Sequence, residues 1–164
     1  MNTENTLQLT TPSDREITMT RVFNAPCAMV FAALTQPELL QRWFVGMPGW
    51  ILTVCEIDLK VGGVYRYTWR RPDGSEMALR GVYREVNPPT RFANTQSFDT
   101  GCVDSSDDPL STTVLSEHNG QTTLTCTTLY PSKEMRDAML KTPMEKGASV
   151  AYDRLADLLD TVKK

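Results

Sequence analysis

The feature that most constrains this chain is a change of hydrophobic period. Residues 50–130 alternate and turn like a succession of β-strands. After Pro143 the pattern becomes one helical stripe made by Ala148, Ala151, Tyr152, Leu155, Leu158, Leu159 and Val162. An antiparallel meander must cover its apolar face, and the long covering element here is this last helix. A helix of about twenty residues is roughly 30 Å long at 1.5 Å per residue, enough to cross a whole sheet. The order predicts an α+β domain: a curved antiparallel sheet of about seven strands wrapped around a long C-terminal helix.

The rest of the chain fits that plan. Residues 17–23 alternate and are β-branched, as a first strand requires. Pro26 then opens a short helix carrying Met29, Val30, Ala33 and Leu34, and Thr35-Gln36-Pro37 opens another with Leu39, Leu40, Trp43 and Phe44. Arg71-Pro72-Asp73-Gly74 has the residues of a type I hairpin turn, and Asn119-Gly120 is a strong two-residue hairpin signal. Residues 91–98 read as one strand, and Pro131-Ser132 opens a short helix carrying Met135 and Met139. Residues 1–13 offer only Leu7 and Leu9 as anchors and read as a disordered tail. Residues 14–164 read as a single domain.

Composition narrows the function classes. Seventeen Lys and Arg against 20 Asp and Glu leave a net charge of -3, which argues against nucleic acid as a partner. Cys27, Cys55, Cys102 and Cys126 form no CxxC pair, and the one histidine, His118, is outside metal-motif spacing, so no metal site is expected. Asp104, Asp107 and Asp108 lack the order of oxygen ligands of a calcium loop and read as a solvated segment. His118 directly precedes Asn119-Gly120, which makes it an exposed turn histidine rather than a catalytic base. The chain has no GxGxxG, P-loop or HExxH motif, and no cofactor is expected. Its polar N-terminus lacks a secretory apolar run or a membrane span, so the expectation is a cytoplasmic protein with free thiols.

Several ordered motifs resemble one family. Arg21-Val22-Phe23-Asn24-Ala25-Pro26, Val30-Phe31, Ala33, Thr35, Pro37, Leu40 and Trp43-Phe44 are similar to its opening strand and helices. Gly62-Gly63, Tyr65, Gly74, residues 81–86 and Pro88-Pro89-Thr90-Arg91-Phe92 are similar to its central hairpin, and Asp153-Arg154-Leu155 to its final helix. The family is the activator of heat-shock-protein-90 ATPase homologue-like group, within the START-like, Bet v-like (SRPBCC) helix-grip superfamily. The resemblance implies a helix-grip fold with a cavity between sheet and helix, where relatives bind lipids, hormones or polyketides and a few catalyse cyclisation or dehydration. It also implies a chaperone or stress-response role. The founding members, however, carry an additional chaperone-binding domain for which 164 residues leave no room.

The expected function is therefore binding of a small hydrophobic or amphipathic molecule in an internal cavity, without turnover. A cavity enzyme doing proton-transfer chemistry and a protein partner acting on a chaperone are the alternatives. The expected aromatic wall is Trp43, Trp50, Tyr65, Tyr67, Trp69, Tyr83 and Phe98. The expected helical wall is Met144, Ala148 and Tyr152, with Met135 and Met139 nearby. Among the arginines between residues 66 and 91, Arg80 is the expected partner for an anionic ligand group. The alternative role for these arginines is neutralisation across the sheet by the acidic residues of 99–117. Glu85 is the carboxylate to examine for acid-base work, provided it points inward. No catalytic residue is assigned.

Overall fold

The computed structural model describes residues 6–44, 49–98 and 108–162. The elements, in chain order, are β1 (Gln8–Thr10), β2 (Glu16–Phe23), α1 (Cys27–Thr35), α2 (Pro37–Leu40), β3 (Ile51–Ile57), β4 (Val64–Arg70), β5 (Glu76–Asn87), β6 (Arg91–Thr95), β7 (Ser97–Phe98), β8 (Leu110–His118), β9 (Gln121–Leu129), α3 (Lys133–Leu140) and α4 (Met144–Val162). This is the α+β helix-grip arrangement expected from the period change. The sheet has nine strands among the described residues, in the order β1-β2-β9-β8-β6-β5-β4-β3, with β7 on β5. All the pairings are antiparallel.

Two of those strands depart from the sequence reading. Gln8–Thr10 pairs with Thr18–Thr20 of β2, so the description of residues 1–13 as a disordered tail does not hold for residues 8–10. Their backbone groups find partners on an open sheet edge, a gain that apolar counting does not see. Residues 91–98 are not one strand: Gln96 interrupts them, β6 pairs with both β5 and β8, and β7 continues along β5 toward Leu79.

The curvature comes from β5, which serves two halves of the sheet. Its first half pairs with β4, its second half with β6, and the register shifts between Tyr83 and Glu85. A bulge of this kind bends a strand and strengthens its twist. Gly81 sits at the bend, where a Cβ would stand 1.9 Å from the Thr95 carbonyl oxygen and 2.7 Å from the Tyr65 ring. Only a residue without a side chain allows the strands to approach so closely. At the far hairpin Asn119 and Gly120 have φ of 54° and 80°, as a type I′ turn requires, and His118 is exposed beside them.

The helices are placed by local chemistry. Proline at the first position pre-sets α2 at Pro37, and Ser132 caps α3 by accepting the Met135 amide at 3.1 Å. Pro26 is one residue earlier than expected, at the cap of α1, and has no side chain to accept a bond. Glu117 of β8 compensates: its carboxylate accepts the Cys27 amide at 2.7 Å, at the helix end that favours negative charge. The last helix packs its second half against the inner face of the sheet, where Leu155, Leu158 and Leu159 join Phe23, Leu115 and Leu124 in the core.

Candidate functional site

Period two on β4 sends Tyr65, Tyr67 and Trp69 inward and Arg66 and Arg70 outward. On β5, Leu79 and Tyr83 continue this inner wall. Above them the first half of α4 presents Gly147, Ala148 and Ala151, which are too small to fill the space below. The result is a cavity of about 550 Å³, partly open to solvent, a size typical of ligand sites. Met77, Met139, Met144 and Trp50 also line it, and unbranched Met side chains adapt to varied shapes.

The aromatic side is held rigidly. Trp43 donates its indole N–H to the Ala33 carbonyl at 2.9 Å, and Trp69 donates to the Phe44 carbonyl at 3.0 Å. Phe44 meets Trp69 and Tyr67 edge-to-face, at centroid separations of 5.2 and 5.4 Å. Trp43 stacks on Tyr152 at 6.3 Å, which ties α4 to the wall. The Tyr65 hydroxyl donates to the Thr95 carbonyl and accepts from the Asn94 amide at 3.1 Å. Burial raises the pKa of the Tyr65, Tyr67 and Tyr83 phenols, that of Tyr83 to about 12, so they remain neutral at ordinary pH.

The opposite side is polar but uncharged. Asn94 and Gln96 from the β6 segment, Ser111 and Thr113 from β8, and Cys126 and Thr128 from β9 line the cavity there. The described lining contains no Asp, Glu, Lys, Arg or His. Among the described residues no cluster of His, Cys, Asp and Glu is arranged to hold a metal ion.

Most of the residues expected at the site do line the cavity: Trp43, Trp50, Tyr65, Tyr67, Trp69, Tyr83, Met144, Ala148 and Tyr152. Arg80 does not. It occupies the opposite parity of β5 from Leu79, pairs in register with outward Arg66, and is no partner for a ligand in the cavity. Phe98 pairs through its backbone with Leu79, but its side chain lies outside the described residues. Met139 contributes to the lining, whereas Met135 is exposed. Glu85 is not an inward acid: it accepts from Arg91 at 2.8 Å and Asn87 at 2.7 Å on the outer surface. Asp99, Asp104, Asp107 and Cys102 lie outside the described residues. Cys27, Cys55 and Cys126 are free thiols.

The polar residues on β6, β8 and β9 were not legible as a site. Arg21, buried on β2 beside the cavity and paired with Asp153 of α4, was missed as well. Its place in an inward-facing parity with Ile17, Met19 and Phe23 was the available signal.

The sequence profile of the family described as "Activator of Hsp90 ATPase homolog 1-like protein" matches residues 24–160. Among solved structures, a Rhodobacter sphaeroides protein is 29% identical with a TM-score of 0.87, over 95% of this chain and 99% of its own. A Mycobacterium smegmatis protein is 26% identical with a TM-score of 0.82, over 94% and 98%. A Nitrosomonas europaea protein shares the fold with a TM-score of 0.82 at 23% identity, over 93% and 99%. No curated protein matches the chain.

Proposed function

The chain belongs to the activator of Hsp90 ATPase homolog 1-like family, within the START-like (SRPBCC) helix-grip superfamily, and on that premise we propose that it binds a small apolar or amphipathic molecule between the sheet and α4. The observation that carries this reading is the 550 Å³ cavity, roofed by Gly147, Ala148 and Ala151 and walled by fixed aromatic rings. A core evolved only for stability packs to near-crystalline density, and a void of this size under small residues forfeits that packing.

Binding without turnover fits the walls better than proton-transfer chemistry. General acid-base work needs a group that changes protonation near neutral pH. The carboxylate considered for it, Glu85, is on the outer surface in a pair with Arg91. The phenols that do face the cavity are held protonated by burial. The reading requires no metal or organic cofactor, and a surface-acting chaperone partner would have no use for the cavity. Among the described residues no helix is long and apolar enough to cross a membrane.

The test is titration of the full chain with Nile red, a neutral fluorescent dye. Saturable binding of one dye per chain, with a blue-shifted emission, is expected. Emission that stays at its value in water across the titration would reject the reading.

A further inference from the structure

Resting on that reading, we propose that the cavity selects uncharged molecules bearing a hydroxyl, carbonyl or amide group, received by Asn94, Gln96 and Thr113 while the apolar body lies on the aromatic wall. The two walls are chemically different. The β4 and β5 side presents rings and aliphatic groups, whereas inward positions on β6, β8 and β9 carry hydroxyls and amides. Strand register aligns the polar residues in rows across the sheet: Asn94 is opposite Ser111, which is opposite Thr128, and Thr113 is opposite Cys126.

Some of these groups bond to one another. The Ser111 hydroxyl is 3.2 Å from that of Thr128 and 3.1 Å from the Cys126 thiol. The Asn94 amide nitrogen donates to Tyr65. The Asn94, Gln96 and Thr113 side chains all line the cavity. Thr113 is only 6% exposed. Polar groups gathered on one wall of an otherwise apolar cavity favour a ligand that brings a polar group of its own to that wall. Amides and a hydroxyl both donate and accept, which suits a neutral hydroxyl, carbonyl or amide equally.

The same walls disfavour ions. Among the described residues no charged side chain lines the space, and an ion taken out of water without a counter-charge meets a large desolvation cost. The nearby cation, Arg21, is committed to Asp153.

Competition against Nile red on the full chain at neutral pH tests this with three molecules of one ring system: naphthalene, 2-naphthol and 2-naphthoate. The hydroxyl compound should displace the dye at about tenfold lower concentration than either of the others, the scale of one or two net hydrogen bonds. Thr113→Val combined with Gln96→Leu should bring 2-naphthol within about twofold of naphthalene, each measured against that variant's own dye affinity, and Thr113→Ser should keep the preference. If the double variant fails to fold by thermal melt, the half-buried Gln96→Leu change alone should still narrow the ratio. Equal competition by 2-naphthoate, or a preference unchanged in the variants, overturns the inference and leaves the binding reading intact. Absence of dye binding to the parent chain overturns both.

Discussion

Arg21 on the second strand and Asp153 on the last helix are joined at 2.7 Å across 132 residues of sequence. Arg21 is 5% exposed, its guanidinium lies 5.5 Å from the Phe23 ring centroid, and its Nε is buried without a partner. Asp153 is largely solvent-exposed. The pair fixes α4 over the sheet edge beside the cavity.

That asymmetry predicts unequal mutants. Asp153→Ala strands a buried cation and should cost about 1–2 kcal/mol, less than a fully buried pair because water screens one partner. Arg21→Met removes the cation and leaves an apolar side chain among apolar neighbours, so it should stay within about 1 kcal/mol of the parent. Urea unfolding of both variants checks this, and a larger loss for Arg21→Met would show that the cation itself stabilises the fold.

Leu155 is fully buried at the centre of the α4 contact. Leu155→Asp places an unpaired charge there at a cost of several kcal/mol, comparable with the whole stability of a domain. Loss of the cooperative thermal transition is expected, and a melt unchanged from the parent would mean that α4 does not seal the core.

The buried tyrosines predict a sensitivity to alkali. Unfolded tyrosines ionise near pH 10, whereas burial raises the folded pKa of Tyr65, Tyr67, Tyr83 and Tyr152, with Tyr83 at about 12. Above pH 10 the unfolded chain therefore binds fewer protons than the folded one, and stability falls as pH rises. The contribution is fully present below pH 10 and disappears through the folded pKa. Urea midpoints should hold level as pH rises toward 10 and then decline, with phenolate absorbance from these rings appearing together with unfolding. Full phenolate absorbance from an intact fold would contradict their burial.

How far the sequence could be read depended on whether alternation carried a hydrophobic contrast. On β4 the contrast is strong, Tyr65, Tyr67 and Trp69 against Arg66 and Arg70, and the aromatic wall followed from it. On β8 and β9, Ser and Thr occupy both faces, as in Ser111-Thr112-Thr113 and Thr127-Thr128. Period two then gives no phase, and the polar wall could not be assigned. Arg80 was misplaced for a related reason: β5 carries apolar residues on both parities, Met77, Leu79 and Tyr83 on one and Ala78 and Val82 on the other, so the pattern around it does not fix its face. The short strand β1 was invisible because edge pairing is a backbone property that three half-exposed side chains do not advertise.

The most direct measurement is Nile red binding to Ala148→Trp, read together with its thermal melt. Ala148 and Gly147 roof the cavity with little more than backbone, so the new indole has empty volume to enter. The account predicts that dye binding is abolished while the melting temperature stays close to that of the parent. In a filled core the same change would overpack and destabilise by roughly 1–3 kcal/mol, so a clear loss of stability, or dye binding that survives the substitution, would contradict a ligand site beneath α4.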